Sequence, residues 1–244
     1  MPSRRQHKLD AVVARLQLQY GARAIQKAAA PVHVPHLSTT FPDLDTALGI
    51  GGVPRGRVNE IVGPATSGKV TLAAKILSAA HRDPGALAAW LDLPRTCDPD
   101  YLHRCGLDLE RLLVVRPHDG ADALAIAIHL VESNTLAVIV FDGTAELAQV
   151  DPVAVMGQLE RLAAVVTETQ TAVIFLTEPR AQSRTLAHVA TVRLAIRREQ
   201  WITRGKDVRG YEGQVEILKH KLGRAGAVVP IRIAFNGTVR GEGL

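Results

Sequence analysis

Cysteine is nearly missing from this chain. Of 244 residues only Cys97 and Cys105 carry a thiol, and they form neither a CxxC pair nor any His/Cys spacing suited to zinc. That excludes a disulfide framework and a zinc finger, and leaves free thiols in a reducing, cytoplasmic setting as the expectation. Long hydrophobic runs are missing as well. No apolar stretch is long enough to span a bilayer and the start, MPSRRQHKLD, has no apolar signal core, so no membrane association is expected. Repeats at solenoid periods are absent. The nine histidines are scattered, and His33 and His36 have no third ligand nearby to make a metal site. The formal net charge of +5 is spread along the chain, which permits an acidic partner such as nucleic acid without demanding one.

What is present is an ordinary globular composition, 47% hydrophobic and 22% charged, at a length that suits one large domain with a small appendage. Leu9, Val12, Val13, Leu16 and Tyr20 recur at helical spacing and predict an amphipathic helix over about 7–20. A connector with Pro31, His33, Pro35 and His36 follows, so residues 1–38 read as an arm and 39–244 as the core. Within the core, short apolar runs alternate with helical patterns. Strands are expected over 58–62, 86–91, 112–116, 136–141 and 172–177, and helices over 69–80, 122–132 and 156–169. The run over 136–141 is apolar throughout, as suits a strand buried on both faces. The tail offers strands over 191–197, 214–219 and 231–235 with no helix between them. The expected class is α/β, with a mainly parallel central sheet and antiparallel strands at one edge.

One motif carries chemistry outright. Gly63-Pro64-Ala65-Thr66-Ser67-Gly68-Lys69 fits the phosphate-loop pattern, with a strand before it and a helix after it. Such a loop aims backbone N–H groups and a helix N-terminus at phosphates while the lysine reaches the terminal ones, which calls for a nucleotide such as ATP. Position 70, where a hydroxyl should help hold magnesium, is Val70. Thr71 is turned about 100° away on the helix and is assigned an α-phosphate contact rather than a rescued metal role. Val138-Ile139-Val140-Phe141-Asp142 has the form of the second motif of such proteins, a buried strand ending in the aspartate of the magnesium site. Arg197, Arg198, Arg204 and Lys206 around Trp201 make the best local basic patch, read here as a solvated loop ahead of the alternative, a contact with DNA phosphates or an acidic protein surface.

These segments together resemble the RecA family of bacterial recombinases. FPDLDTALGIGGVPRGRVNEIVGPATSGKVTL is similar to the family's opening, LDLPRTCDPDYLHRCGLDLERLLVVRP to its second-strand segment, and VEILKHKLGRAG to its lysine-bearing hairpin. QYGARAIQK is similar to its N-terminal polymerisation segment, a helix followed by an edge strand, and the resemblance runs collinearly to Gly241, without the C-terminal domain common in full-length members. It implies a RecA-like ATP-binding core. It further implies that Asp98 and Tyr101 hold the adenine and that Gly63, Thr66, Ser67, Gly68, Lys69, Val70 and Thr71 line the phosphates. Asp142 would hold Mg2+, while Lys219 and Lys221 would reach the γ-phosphate of a neighbouring protomer.

Departures from the family's pattern are equally specific. Pro94 stands where the resemblance places the glutamate that activates water, and Thr177-Glu178 replaces an Asn-Gln pair that senses the γ-phosphate. Only about ten residues, 181–190, stand where the family has a long mobile DNA-binding loop, and they contain no aromatic for a base to stack on. The resemblance so qualified implies a degenerate paralogue, such as an ImuA-type accessory protein of DNA repair, with weak or absent hydrolysis. Its partner would be a RecA filament or a translesion polymerase assembly, with self-association through the arm and single-stranded DNA left open. The alternative is an active DNA-dependent ATPase of homologous recombination and strand exchange. A nucleotide-free scaffold is the third reading.

Overall fold

The computed structural model describes residues 4–21, 34–235 and 239–242. The chain divides into two units, Met1–His33 and Val34–Leu244. In the first, α1 (Arg4–Tyr20) is the expected helix, with Leu9, Val12 and Tyr20 more than half exposed. The edge strand expected after it falls on 22–33, outside the described residues.

The second unit opens with β1 (His36–Leu37), α2 (Pro42–Leu48) and β2 (Val53–Pro54), where β1 and β2 pair antiparallel. There follow β3 (Arg57–Val62), α3 (Lys69–Ala80), β4 (Leu87–Asp92), α4 (Pro99–Arg104), β5 (Leu112–Val115), α5 (Gly120–Glu132) and β6 (Leu136–Asp142). The chain continues through α6 (Thr144–Leu147), α7 (Pro152–Val166), β7 (Ala172–Thr177) and α8 (Arg184–Val189). It ends in β8 (Val192–Arg204), β9 (Asp207–His220), β10 (Val228–Phe235) and β11 (Val239–Glu242). Among the described residues one sheet takes nine strands in the order β11-β10-β9-β8-β3-β7-β6-β4-β5. Pairing is parallel from β8 to β5 and antiparallel from β8 outward to β11, as the alternation of runs predicts.

Side chains alternate along each buried strand. Val138 and Val140 of β6 join Ile174 and Leu176 of β7 on the face covered by α3, where Leu72, Ile76 and Leu77 are fully buried. Ile139, Phe141, Val173 and Phe175 point the other way, onto Leu124 and Ile128 of α5 and Leu159 and Leu162 of α7. There the rings of Phe141 and Phe175 stack with centroids 4.7 Å apart. This double burial is why the two strands read as unbroken apolar runs.

Three elements depart from the sequence reading. The helix expected from 156 starts at Pro152, because Asp151 caps it by accepting the Ala154 N–H at 2.9 Å and proline suits a first helical position. The stretch 181–190, read as a loop, contains α8, capped by Ser183, which accepts the Leu186 N–H, and anchored by buried Leu186. The basic patch, read as a solvated loop, lies mostly in strand. β8 and β9 form one long hairpin, Arg204 opposite Asp207, and Gly205 at φ 63° supplies the left-handed residue a two-residue turn requires. The aromatic and β-branched run Trp201-Ile202-Thr203 was the available strand signal, outweighed by the charge.

Candidate functional site

Four strand ends meet at the head of the sheet. Val62 of β3 lies in register with Thr177 of β7, Leu176 of β7 with Asp142 of β6, and Asp142 with Asp92 of β4. The carboxyl ends of parallel strands are where open α/β sheets place ligands, because the connecting loops and helix N-termini gather there. The loop 63–68 leaves β3 at this edge. The Gly63 N–H donates to the Thr177 carbonyl at 2.9 Å, tying the loop's start to β7. Its end is the α3 N-cap, Gly68, at φ 101°, where a Cβ would also collide with the Tyr211 hydroxyl. Glycine is therefore required there both by conformation and by space.

Two clefts flank the end of the loop, both lined by Thr66, Lys69 and Val70. The first, about 380 Å3, is the more polar of the two and adds Pro94, Asp142 and Glu178. The Lys69 side chain is only 10% exposed; its ammonium donates to the Pro64 carbonyl at 3.3 Å and pairs with the Glu178 carboxylate at 3.5 Å. Burial pushes the Asp142 carboxyl up to about 6; Lys69 opposes the rise, and Asp92, Glu146 and Glu178 add to it. Asp92 is fully buried and accepts the Thr96 and Cys97 N–H groups at 2.8 and 3.2 Å and Arg116 Nε at 3.3 Å, fixing the turn that carries Pro94. Val70 puts an isopropyl group, and Pro94 a ring, on walls of this cleft. Neither offers a metal ligand or a proton acceptor.

The second cleft, about 240 Å3, is aromatic, with Tyr101, Trp201, Tyr211 and Phe235 around Thr71. Trp201 of β8, Tyr211 of β9 and Phe235 of β10 form a run of edge-on rings, each centroid 5.9 Å from the next. The Thr71 hydroxyl lies 2.6 Å from the Tyr101 hydroxyl and accepts from that of Tyr211 at 3.3 Å. Burial pushes both phenols up, Tyr101 to about 12, so they remain protonated partners at neutral pH. That hydroxyl is thus committed to the two tyrosines, and the sequence expectation of an α-phosphate contact at Thr71 would rest on its main-chain N–H in the first turn of α3. Asp98 caps α4, accepting the Tyr101 N–H at 3.1 Å, and so orients the tyrosine while staying exposed itself.

The structure thus gathers Thr66, Gly68, Lys69, Val70, Thr71, Tyr101 and Asp142 around the two clefts. Ser67 and Gly63 are buried behind the loop. Lys219 and Lys221 are not brought to Lys69 within the chain. Lys219 donates to the Ala187 and His188 carbonyls at 2.6 and 2.8 Å and Lys221 to the Val189 carbonyl at 3.2 Å, so both cap the C-terminal end of α8. Burial, then Lys221, holds the Lys219 ammonium below its ordinary value. Sequence reasoning placed Arg198 in a basic patch and missed its contact with the loop, where its guanidinium donates to the Thr66 carbonyl at 3.0 Å and lies 4.1 Å from the Trp201 ring centroid. It also missed the aromatic run and the Lys69–Glu178 pair. A strand ending in Asp92, like the one ending in Asp142, was the one signal that could have marked its buried carboxylate.

Comparison with known proteins agrees with this fold. The model of the RecA N-terminal domain matches residues 7–240. Protein RecA of Syntrophobacter fumaroxidans is 34% identical over 269 residues, covering 98% of this chain and 78% of its own length. Protein RecA of Clostridium acetobutylicum is 33% identical over 264 residues, covering 96% and 75%. Among solved structures, that of the RadB recombinase superposes with a TM-score of 0.63 at 22% identity, over 81% of this chain and 96% of the other.

Proposed function

The chain belongs to the RecA family, and from that premise we propose that it is an ATP-binding protein of DNA repair and recombination that holds nucleotide but turns it over weakly or not at all. The carrying observation is the composition of the polar cleft. Its grip is present, in the loop, Lys69 and Asp142, while its walls at Val70 and Pro94 have no chemistry to offer. The donors fit a polyphosphate: backbone N–H groups at the start of α3, the lysine, and an aromatic cleft beside them for a base. For magnesium the fit is thinner. Asp142 would hold the ion, whose role is to offset phosphate charge, and the usual hydroxyl ligand is replaced by Val70.

An accessory or regulatory role follows in the same reading. α8 occupies the short stretch between β7 and β8, and its carbonyls are tied down by Lys219 and Lys221, which leaves little chain to follow a DNA strand. The partner would then be a protein, a RecA filament or a translesion polymerase assembly, and the apolar side of α1 suits self-association or docking. The rival reading, an active DNA-dependent ATPase, is favoured by the same two lysines, if they leave α8 and reach a neighbour's nucleotide.

Calorimetric titration with ATP and ADP tests the binding claim. The native chain is expected to bind, and Lys69→Ala to weaken binding by about 100-fold, as loss of a buried charge contact to phosphate implies. A folded native chain that takes up neither nucleotide overturns the proposal and favours the scaffold.

A further inference from the structure

We infer that the polar cleft selects a nucleoside diphosphate over a triphosphate, with Glu178 as the residue that discriminates against the third phosphate. That preference rests on the nucleotide-binding reading above and concerns the same cleft. Among the residues lining it, Lys69 is the one basic side chain, against three carboxylates, Asp142, Glu146 and Glu178. Glu178 already stands 3.5 Å from the Lys69 ammonium. In a phosphate loop the backbone cradles the α- and β-phosphates, while the lysine spans the β- and γ-phosphates. A diphosphate can therefore lie in the cradle and share the ammonium. A third phosphate has to enter between the ammonium and carboxylates of its own sign, displacing Glu178 from Lys69.

The position of Glu178 is built into the sheet. Thr177 before it is fully buried at the end of β7, and its carbonyl accepts the first N–H of the loop. Pro179 after it restricts Glu178 to the extended conformation it has, φ −85° and ψ 147°. The three acids also do not draw together into a three-ligand cluster of their own, which leaves Glu178 paired with Lys69. Among the described residues, the one set of three or more potential ligands with atoms within 4.8 Å of one another is His118, Asp119 and Asp122. Glutamine at 178 would keep the length of the side chain and remove the repulsion. Because the Glu178 side chain is half exposed, the effect is screened, and a preference of about tenfold is the expected scale.

The test is calorimetry on the full chain in magnesium buffer, with ADP and with a non-hydrolysable ATP analogue, for the native protein and Glu178→Gln. The native chain is expected to bind ADP about tenfold more tightly. Glu178→Gln is expected to bring the two affinities within about twofold, chiefly by strengthening the triphosphate. A native chain that binds the triphosphate as tightly as ADP, or more tightly, overturns the inference and leaves the nucleotide reading intact. A native preference for ADP that Glu178→Gln does not change removes Glu178 as its cause. A folded chain that binds neither nucleotide overturns both.

Discussion

Within one turn of α3 the chain places Lys69, Val70 and Thr71 in three different environments. The lysine faces carboxylates, the valine walls both clefts, and the threonine hydroxyl is held between two tyrosines. Gly68 before them makes that crowding possible. Gly68→Ala is expected to destabilise the fold by about 2–3 kcal/mol, the sum of a left-handed backbone and a collision with Tyr211, read as a lower urea midpoint. His220 sets a pH dependence. Its Nε2 donates to the Leu48 carbonyl at 3.0 Å while its Nδ1 accepts the Leu222 N–H at 3.1 Å, which fixes a neutral ring, and burial holds its pKa below the ordinary value. A lowered pKa means this stability is complete above about pH 6.5 and is lost as the pH falls through the folded value. His220→Gln, which keeps a donor and an acceptor, is expected to flatten the fall in urea midpoint between about pH 7.5 and 5.5. The motif residues Lys69 and Asp142 were legible in the sequence because fixed spacing and a strand end define them. The contacts that Glu178, Arg198 and Tyr211 make there were not, since each residue comes from a segment more than 100 residues away, and no local pattern encodes such a meeting.

At the scale of elements, α8 is the unusual one. Six residues make a poor helix on their own. It is held by Ser183 at one end, buried Leu186 in the middle, and two ammonium groups on its last carbonyls. Replacing both lysines, Lys219→Met with Lys221→Met, is expected to cost about 1 kcal/mol of stability and to raise amide hydrogen exchange over 184–190 above that of β7. Unchanged exchange there would show that the lysines do not hold the helix. The long strands and helices of the core were legible from their periods, to within a few residues at the ends. α8 was not, because the ammonium groups on its last carbonyls come from β9 and the turn after it rather than from its own sequence. The upper half of the β8–β9 hairpin was hidden for a related reason. It is polar on the outside, and what orders it is cross-strand pairing, with Trp201 opposite Tyr211 and Gln200 bonded to Glu212 at 2.6 Å.

For the whole molecule, the proposed reading combines a RecA-family core with a cleft whose grip and whose chemistry are separated. Val70 and Pro94 line one cleft with Lys69 and Asp142, so a single pair of substitutions addresses the missing functions together. Val70→Thr with Pro94→Glu restores a hydroxyl and a carboxylate at those walls. A rise in steady-state ATP hydrolysis of at least about tenfold over the native chain is expected, with folding unchanged. The fold class was readable from the order of strands and helices. That Val70, Pro94 and Glu178 depart from the family's pattern was readable in the sequence; that they line one cleft with Lys69 and Asp142 became visible only once β7 was placed beside β3. The most direct test of the account is the turnover rate of the native chain at saturating ATP, with and without single-stranded DNA. The account predicts bound nucleotide with little or no phosphate release, and no stimulation by DNA. Sustained, DNA-stimulated hydrolysis at the rate of an active recombinase would contradict it.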